Sequence, residues 1–230
     1  MAEFDQYKND YQRIVERSIR FGGKPHDFYT KLKAEYFISI LRERHPHEKN
    51  LSLLDVGCGH GVIHPYIKNS VGKLTGIDMA GEVIAMARKK NSGVSYSTFD
   101  GEHIPSPDHG YDAALMICVL HHVPPLKWAD LLCETRRVLS PGGSLTIFEH
   151  NPLNPLTQLV VRTNVIDKDA VLLRRGHLVR LMAEAGFTDL ESRYILVTPF
   201  ENAYARKLET ALGSIPLGAQ YYVTGRARSE

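Results

Sequence analysis

The sequence has few of the features that mark secreted, membrane-spanning or nucleic-acid-binding proteins. Its three cysteines are odd in number and form no Cys-x-x-Cys pair, so we expect reduced thiols and no cysteine zinc site. No apolar run approaches the ~18–20 residues of a membrane span, and the first residues lack the basic and apolar regions of a signal peptide. Because 28 basic and 26 acidic side chains leave a formal charge of +2, no charge excess favours nucleic acid or an anionic membrane as partner. These absences predict a cytoplasmic protein.

Apolar residues, in contrast, are abundant. A chain of 230 residues with 43% hydrophobic content can bury a substantial core, which favours one domain over two. No internal repeat or low-complexity linker divides the chain. We therefore predict a single domain over residues 1–230.

A strand-like apolar stretch that runs into three glycines is the most informative part of the sequence. Residues 51–56 are typical of a buried strand, Gly57, Gly59 and Gly61 follow, and residues 62–70 have apolar positions at helical spacing. Glycines at such a turn allow positive φ and a close ligand, while the helix N-terminus presents free N–H groups. The turn predicts a site for a small molecule that contains a nucleoside.

The spacing of these glycines separates them from the dinucleotide fingerprint. That fingerprint, Gly-x-Gly-x-x-Gly, serves a pyrophosphate, whereas Val62 stands here in the position of its third glycine and Asp55 precedes the first glycine. A carboxylate at that point would repel a diphosphate and suits an ammonium group. A nicotinamide oxidoreductase is therefore disfavoured, and a glycine turn that only packs helix on strand is the structural alternative.

The segment Asp55-Val-Gly-Cys-Gly-His-Gly61 resembles the Asp-x-Gly-x-Gly-x-Gly motif of class I S-adenosylmethionine (SAM) dependent methyltransferases, and Leu139-Ser-Pro-Gly-Gly143 resembles the family's Leu-x-Pro-Gly-Gly motif. The resemblance covers residues 48–150 by motif and the remainder by element order. Alternating strands and helices favour an α/β fold with a doubly wound sheet. The resemblance implies seven strands in the order 3-2-1-4-5-7-6, mostly parallel with an antiparallel C-terminal hairpin and with helices on both faces.

The resemblance also implies SAM as cofactor and S-adenosylhomocysteine as product. Asp78 ends a predicted strand, where a carboxylate can accept hydrogen bonds from ribose hydroxyls; an N-cap for the next helix is the alternative. Within the resemblance, Met79 stacks on the adenine, and Asp100 and Gly101 meet the adenine edge. The predicted cofactor residues are Tyr11, Asp55, Gly57, Cys58, Gly59, Gly61, Asp78, Met79, Asp100, Gly101 and Cys118.

Imidazoles and an acid follow the fourth and fifth predicted strands. Ligands of open parallel sheets bind beyond the carboxyl ends of the strands, so His121, His122, Glu149 and His150 should lie near the methyl acceptor. We predict His121 and Glu149 as the catalytic pair, because histidine can take a proton near neutral pH; structural packing or capping is the alternative. We expect no metal, since adjacent side chains should diverge and no third ligand has usable spacing.

Two segments outside the motifs are predicted to shape the site. Residues 1–47 are expected to form a helical lid, with helices over 4–19 and 28–41, and residues 150–175 an excursion that sets acceptor specificity. The predicted substrate residues are His122, His150, Arg162 and Tyr29. Basic side chains over 162–180 favour an anionic acceptor, with a solvated basic face as the alternative.

The sequence therefore predicts SAM-dependent methyl transfer to a small molecule, such as an anionic metabolite or the hydroxyl of a sugar or natural product. Nucleic acid and membrane are not expected as partners, and the enzyme should be a monomer or a homodimer. Two alternatives stay open. One is a SAM-binding regulatory protein that transfers no methyl, and the other is an NAD-dependent oxidoreductase.

Overall fold

A computed structural model of the chain describes residues 26–164, 167, 169–198, 207, 209 and 211–228. The predicted helix over 4–19, with Tyr11, lies outside the described residues. The lid over residues 1–47 therefore stays a prediction, apart from its second helix.

Seven strands form one sheet. Their bounds are Ser52–Val56 (β1), Lys73–Asp78 (β2), Ser95–Thr98 (β3), Tyr111–Ile117 (β4), Leu139–His150 (β5), Phe187–Ile195 (β6) and Gln220–Ala227 (β7). The order across the sheet is β3-β2-β1-β4-β5-β7-β6. β1 to β5 pair in parallel, and β7 runs antiparallel to both β5 and β6. The predicted fold class and strand order are confirmed.

Six α-helices connect these strands in the described part of the chain: His26–Arg44 (α1), His64–Ile67 (α2), Gly81–Lys90 (α3), Trp128–Val138 (α4), Pro155–Thr163 (α5) and Arg175–Glu184 (α6). The sequence analysis did not predict α5. Its start has a clear local cause, because the Asn154 side chain accepts hydrogen bonds from two backbone N–H groups of the first turn and a proline occupies the first helical position. This helix opens the excursion over 150–175.

Helices cover both faces of the sheet, and the strands alternate their side chains between the two resulting cores. Leu53, Leu115 and Phe148 pack in one core with α1 and α2, whereas their strand neighbours point into the other core with α4 and α6. Both faces are therefore apolar, which explains why β1 and β4 read as continuous hydrophobic runs. None of the helices within the described residues is long and apolar enough to cross a membrane.

Candidate active site

The glycine turn connects β1 to α2 at the carboxyl edge of the sheet. Gly57 and Gly59 have φ angles of 70° and 53°, in the left-handed region that glycine tolerates best. A Cβ at Gly57 would lie 2.7 Å from Cγ2 of Val119, so this glycine is needed for packing. A Cβ at Gly59 would meet no atom within 4 Å. The main chain at Gly59 therefore borders open space in which a ligand can lie.

Asp78, at the end of β2, holds this turn in place. Its Oδ2 accepts a hydrogen bond from the Gly59 N–H at 2.9 Å, and its Oδ1 accepts one from the Ala80 N–H at 3.0 Å. Ala80, and not Asp78, is the N-cap residue of α3. Since a carboxylate oxygen accepts more than one hydrogen bond, both oxygens keep capacity for ribose hydroxyls.

Asp55 lies in a buried chain of polar groups that the sequence analysis did not foresee. Its Oδ2 is 2.8 Å from His64 Nε2, and His64 Nδ1 is 2.5 Å from the Tyr96 hydroxyl. Burial raises the pKa of Asp55, and the hydrogen bond and charge of His64 oppose that rise. With Oδ2 engaged by His64, Oδ1 is the oxygen that could face a ligand. Cys58 is buried beside this chain, and burial raises the pKa of its thiol.

The predicted adenine end consists of Met79, Asp100 and Gly101. The Met79 side chain is 56% exposed, and its Sδ lies 2.9 Å from the position that a Cβ of Gly101 would take. Its exposed apolar surface is available to stack on an adenine. Asp100 is exposed and accepts hydrogen bonds from the backbone N–H groups of Glu102 and His103, which lower its pKa.

Cys118 directly follows β4 and lies three residues before His121. It has a φ of 57°, although it is not a glycine, and its N–H donates to the Phe148 carbonyl at 2.8 Å. Backbone strain of this kind concentrates at functional sites. Its Sγ accepts a hydrogen bond at 3.5 Å from Gln220, whose Oε1 is buried without a partner among the described residues. The turn at Cys118 explains why β4 ends earlier than predicted and why the two histidines follow in a short 3-10 helix, Leu120–His122.

The structure brings His121 and Glu149 together as a buried pair. His121 Nδ1 lies 2.6 Å from Glu149 Oε2, and Glu149 Oε1 accepts a hydrogen bond from the Leu120 N–H at 2.8 Å. Each side chain is only 1% exposed. Burial alone would lower the pKa of His121, but the charge of Glu149 and hydrogen bonds to Glu149 and Asp167 raise it well above its usual range. Because Nδ1 is engaged, Nε2 is the His121 atom left to act on a ligand.

Asp167 is a residue of this site that the sequence analysis missed. Its Oδ1 lies 3.4 Å from His122 Nε2 and 3.7 Å from His121 Nε2. The two imidazole rings do not diverge, since their centroids are 4.2 Å apart. Both grounds for expecting no metal at this histidine pair are therefore removed by the structure. Sequence spacing gave no signal, because the excursion alone carries Asp167 to the strand ends.

His150 lies beside the same cluster. Its ring centroid is 5.2 Å from that of His121, and its Nδ1 is 3.4 Å from Gln220 Nε2. Burial, and then the charge of His121, lower the pKa of His150 to about 4, so this imidazole is neutral at physiological pH. The positive charge of Lys33, on α1, also lowers the pKa of His150.

The other two predicted substrate residues are not brought to this cluster by the contacts described. Arg162 Nη2 lies 3.3 Å from Gln158 Oε1 on the exposed face of α5. Tyr29 packs edge-on against Phe28, with centroids 5.0 Å apart, at the margin of the core under α1. Their roles in substrate binding stay predictions.

The residues present fit SAM. Open space at Gly59 suits a ligand that lies against the main chain, Asp78 offers carboxylate oxygens beside it, and exposed Met79 offers an apolar surface. These groups match the three parts of the molecule, which are an amino acid end, a ribose and an adenine. Gly59 and Asp78 belong to strand ends that are neighbours in the sheet, and the His121 cluster lies beyond β4 and β5 on the same edge.

Comparisons with known proteins agree with this geometry. Residues 54–147 match the methyltransferase domain family. Sterol 4-C-methyltransferase of Caenorhabditis elegans is 28% identical over 162 residues, which are 65% of this chain and 45% of that protein. Demethylmenaquinone methyltransferase of Tropheryma whipplei is 33% identical over 100 residues, which are 42% of this chain and 41% of that protein. The matched part of this chain thus spans less than half the length of either relative.

A solved structure, that of a SAM-dependent methyltransferase of Thermotoga maritima, has the same fold with a TM-score of 0.68, over 98% of each chain at 20% identity. The two relatives act, by their names, on acceptors as different as a sterol and a quinone, so similarity does not identify the acceptor. The match shows that residues 54–147 of this chain are a methyltransferase domain, and the sequence motifs, the strand order and the glycine turn agree with the class I SAM-dependent type.

Proposed function

We propose that this protein transfers the methyl group of SAM to a small-molecule acceptor. The observation that carries the proposal is the arrangement along one edge of the sheet. Open space at Gly59 beside the Asp78 carboxylate lies at the ends of β1 and β2, and a buried imidazole–carboxylate pair lies at the ends of β4 and β5. An electrophile and an acceptor can therefore be held side by side.

When bound, SAM supplies an electrophilic methyl group on a positively charged sulfur. The chain's own contribution is orientation. The backbone around Gly59 and the carboxylates of Asp55 and Asp78 would fix the cofactor, while the groups beyond β4 and β5 would align the acceptor. Holding two reactants in line at near-attack distance accounts for about 7–11 kcal/mol of a barrier in favourable cases. Strong acid–base groups are not required for such catalysis.

His121 and Glu149 are the residues that we propose to act on the acceptor. Glu149 engages Nδ1 of His121 and so fixes the orientation of the ring. Nε2 is the ring nitrogen that Glu149 does not contact. Because its raised pKa keeps His121 protonated near neutral pH, Nε2 would donate a hydrogen bond that orients the acceptor, and a hydroxyl acceptor would release its proton to water as the methyl group is transferred. Replacing both residues, by His121→Asn and Glu149→Gln, should lower kcat by about 100-fold with little change in SAM affinity. Unchanged turnover at saturating acceptor would remove the pair from the mechanism.

From the charges around the site, a neutral hydroxyl is the acceptor class that we favour. Glu149 and Asp167 bring two carboxylates to the site, whereas two basic side chains of the excursion are engaged elsewhere. Arg162 contacts Gln158, and Arg175 lies over the Tyr194 ring with 4.3 Å from Cζ to the centroid. An anionic metabolite stays a prediction that these contacts do not favour.

A screen for S-adenosylhomocysteine release tests the proposal. The purified chain is incubated with SAM and with panels of hydroxylated sugars and natural products, carboxylic acids, phosphorylated metabolites and transfer RNA. We expect release with a small molecule, and no release above background with the RNA. Release with RNA alone would overturn the small-molecule assignment. SAM binding by calorimetry without release on any panel would favour the regulatory alternative, and NAD binding without SAM binding would favour an oxidoreductase.

We further propose a cytoplasmic protein without a membrane partner, either monomeric or homodimeric. The near-balance of acidic and basic side chains supports the absence of a charged macromolecular partner. Light scattering coupled to size-exclusion chromatography measures the mass of the particle, and a mass above that of a dimer would contradict this proposal.

A further inference from the structure

We propose that His121, His122 and Asp167 bind a divalent cation, and that zinc is the preferred ion. The three side chains offer Nε2, Nε2 and a carboxylate oxygen, and these atoms all lie within 4.8 Å of one another. Two imidazoles and one carboxylate are a donor set that zinc and related divalent ions use in catalytic sites, where three protein ligands leave one position for water or substrate.

The separations between the ligand atoms suit a tetrahedral ion. Ligands about 2.0–2.1 Å from a tetrahedral centre stand about 3.3–3.4 Å from each other. Asp167 Oδ1 lies 3.4 Å from His122 Nε2 and 3.7 Å from His121 Nε2. Asp167 Oδ1 therefore contacts His122 Nε2 and stands further from His121 Nε2, and both separations are close to those that one tetrahedral ion requires.

Neighbouring groups orient two of the three ligands as they do around bound metals. Glu149 Oε2 lies 2.6 Å from Nδ1 of His121, which directs Nε2 toward Asp167. A carboxylate on the distal nitrogen of a metal-binding histidine fixes its tautomer and raises its basicity. The Asn164 side chain donates to Oδ2 of Asp167 at 2.5 Å, which leaves Oδ1 for the two imidazoles. The backbone fixes the turn further, because Val171 N–H donates to the His121 carbonyl at 2.8 Å.

Burial and access also favour an ion. The side chain of His121 is 1% exposed and that of Asp167 is 9% exposed, so the donors are shielded from competing water. The side chain of His122 is 24% exposed, which opens one side of the cluster to solvent. A cation can enter there, and a hydroxyl of the acceptor can take the fourth position. With an ion bound, His121 Nε2 would be deprotonated and coordinated, so the ion and not the imidazole would act on the hydroxyl, whose pKa it lowers. This role, unlike the binding itself, rests on the proposed methyl transfer.

Cobalt(II) is the probe that tests the site, because tetrahedral cobalt absorbs visible light where the protein does not. The full chain is treated with a chelator, desalted and titrated with cobalt chloride, and zinc is then added in competition. We expect one cobalt per chain, visible bands that saturate at that ratio, and their loss on addition of one equivalent of zinc. Asp167→Asn and His122→Gln, which preserve side-chain size, should each weaken cobalt binding at least tenfold. Glu149→Gln should weaken it by about 10–100-fold through orientation of His121.

His47→Gln is the matched control, since His47 is exposed and distant in sequence from the cluster, and it should bind cobalt as the unaltered chain does. Circular dichroism melting verifies that each variant is folded. Absence of visible bands at stoichiometric cobalt, or equal binding by folded Asp167→Asn, would show an ionic cluster of side chains only and overturn the inference. SAM affinity is measured on the same samples. SAM binding without cobalt binding refutes the metal site alone, and cobalt binding without SAM binding refutes the proposed function alone.

Discussion

Substitution of Gly59 by alanine tests most directly where the ligand lies. A Cβ on this residue would meet no protein atom within 4 Å, so the methyl group would occupy only the open space that we assign to SAM. The φ of 53° is a left-handed conformation, which costs about 1–2 kcal/mol for a residue with a Cβ. Loss of freedom in the unfolded chain offsets about 0.4–1 kcal/mol of that cost. We therefore expect Gly59→Ala to lower the free energy of unfolding by about 1 kcal/mol and Tm by about 2–4 °C.

Gly93 provides the matched control, because its φ is 79° and a Cβ there also meets no atom within 4 Å. It precedes β3 and so lies at the amino ends of the parallel strands, whereas the proposed site lies at their carboxyl ends. Gly93→Ala should have the same small effect on Tm and none on SAM affinity.

In Gly59→Ala the methyl group would push the ligand away from the main chain. Loss of two hydrogen bonds, at about 0.5–1.5 kcal/mol each, corresponds to roughly 10–100-fold weaker SAM binding. Isothermal titration calorimetry measures the two variants side by side. Equal SAM affinity in both would refute the reasoning, since the space at Gly59 would then not be where the cofactor lies.

Three further substitutions test the surroundings of the site. Asp78→Asn should weaken SAM binding by about 10–100-fold in calorimetry, because it removes the charge that strengthens hydrogen bonds to the ribose, whereas exposed Asp130→Asn should bind SAM normally. His64→Leu should lower the free energy of unfolding by about 3–5 kcal/mol in urea titrations, because it leaves the buried Asp55 carboxylate without its partner. Addition of Asp55→Asn should recover part of that loss. If it recovers none, His64 stabilises the fold through packing alone. Arg44→Met should cost only about 1 kcal/mol, since both carboxylate partners of Arg44 on β6 are more than half exposed, and a cost that salt does not reduce would contradict an ion-pair origin.

Most of the fold could be predicted because its signals are local. The strand that ends at Asp78 was predicted because a short apolar run closes there on an acid, and β2 does end at that residue. The end of β4 could not be predicted in this way. Cys118 adopts a left-handed φ that its residue type does not indicate, so the strand stops before the apolar run does. The helix α5 was missed, although its Asn-Pro start is a recognisable signal for a helix N-terminus.

The sequence by itself indicated the order of the strands and the end of the sheet at which the cofactor and acceptor groups stand, because its motifs resemble those of a family with that fold and because the acids, glycines and histidines directly follow predicted strands. Only the tertiary structure decided which groups meet across that edge. His64 contacts Asp55 from nine residues away, Glu149 contacts His121 from 28 residues away, and Asp167 reaches both histidines from the excursion. Such contacts depend on how separate elements pack, and no periodic pattern in the sequence indicates them. The arrangement of side chains at the acceptor end could therefore be described only from the tertiary structure.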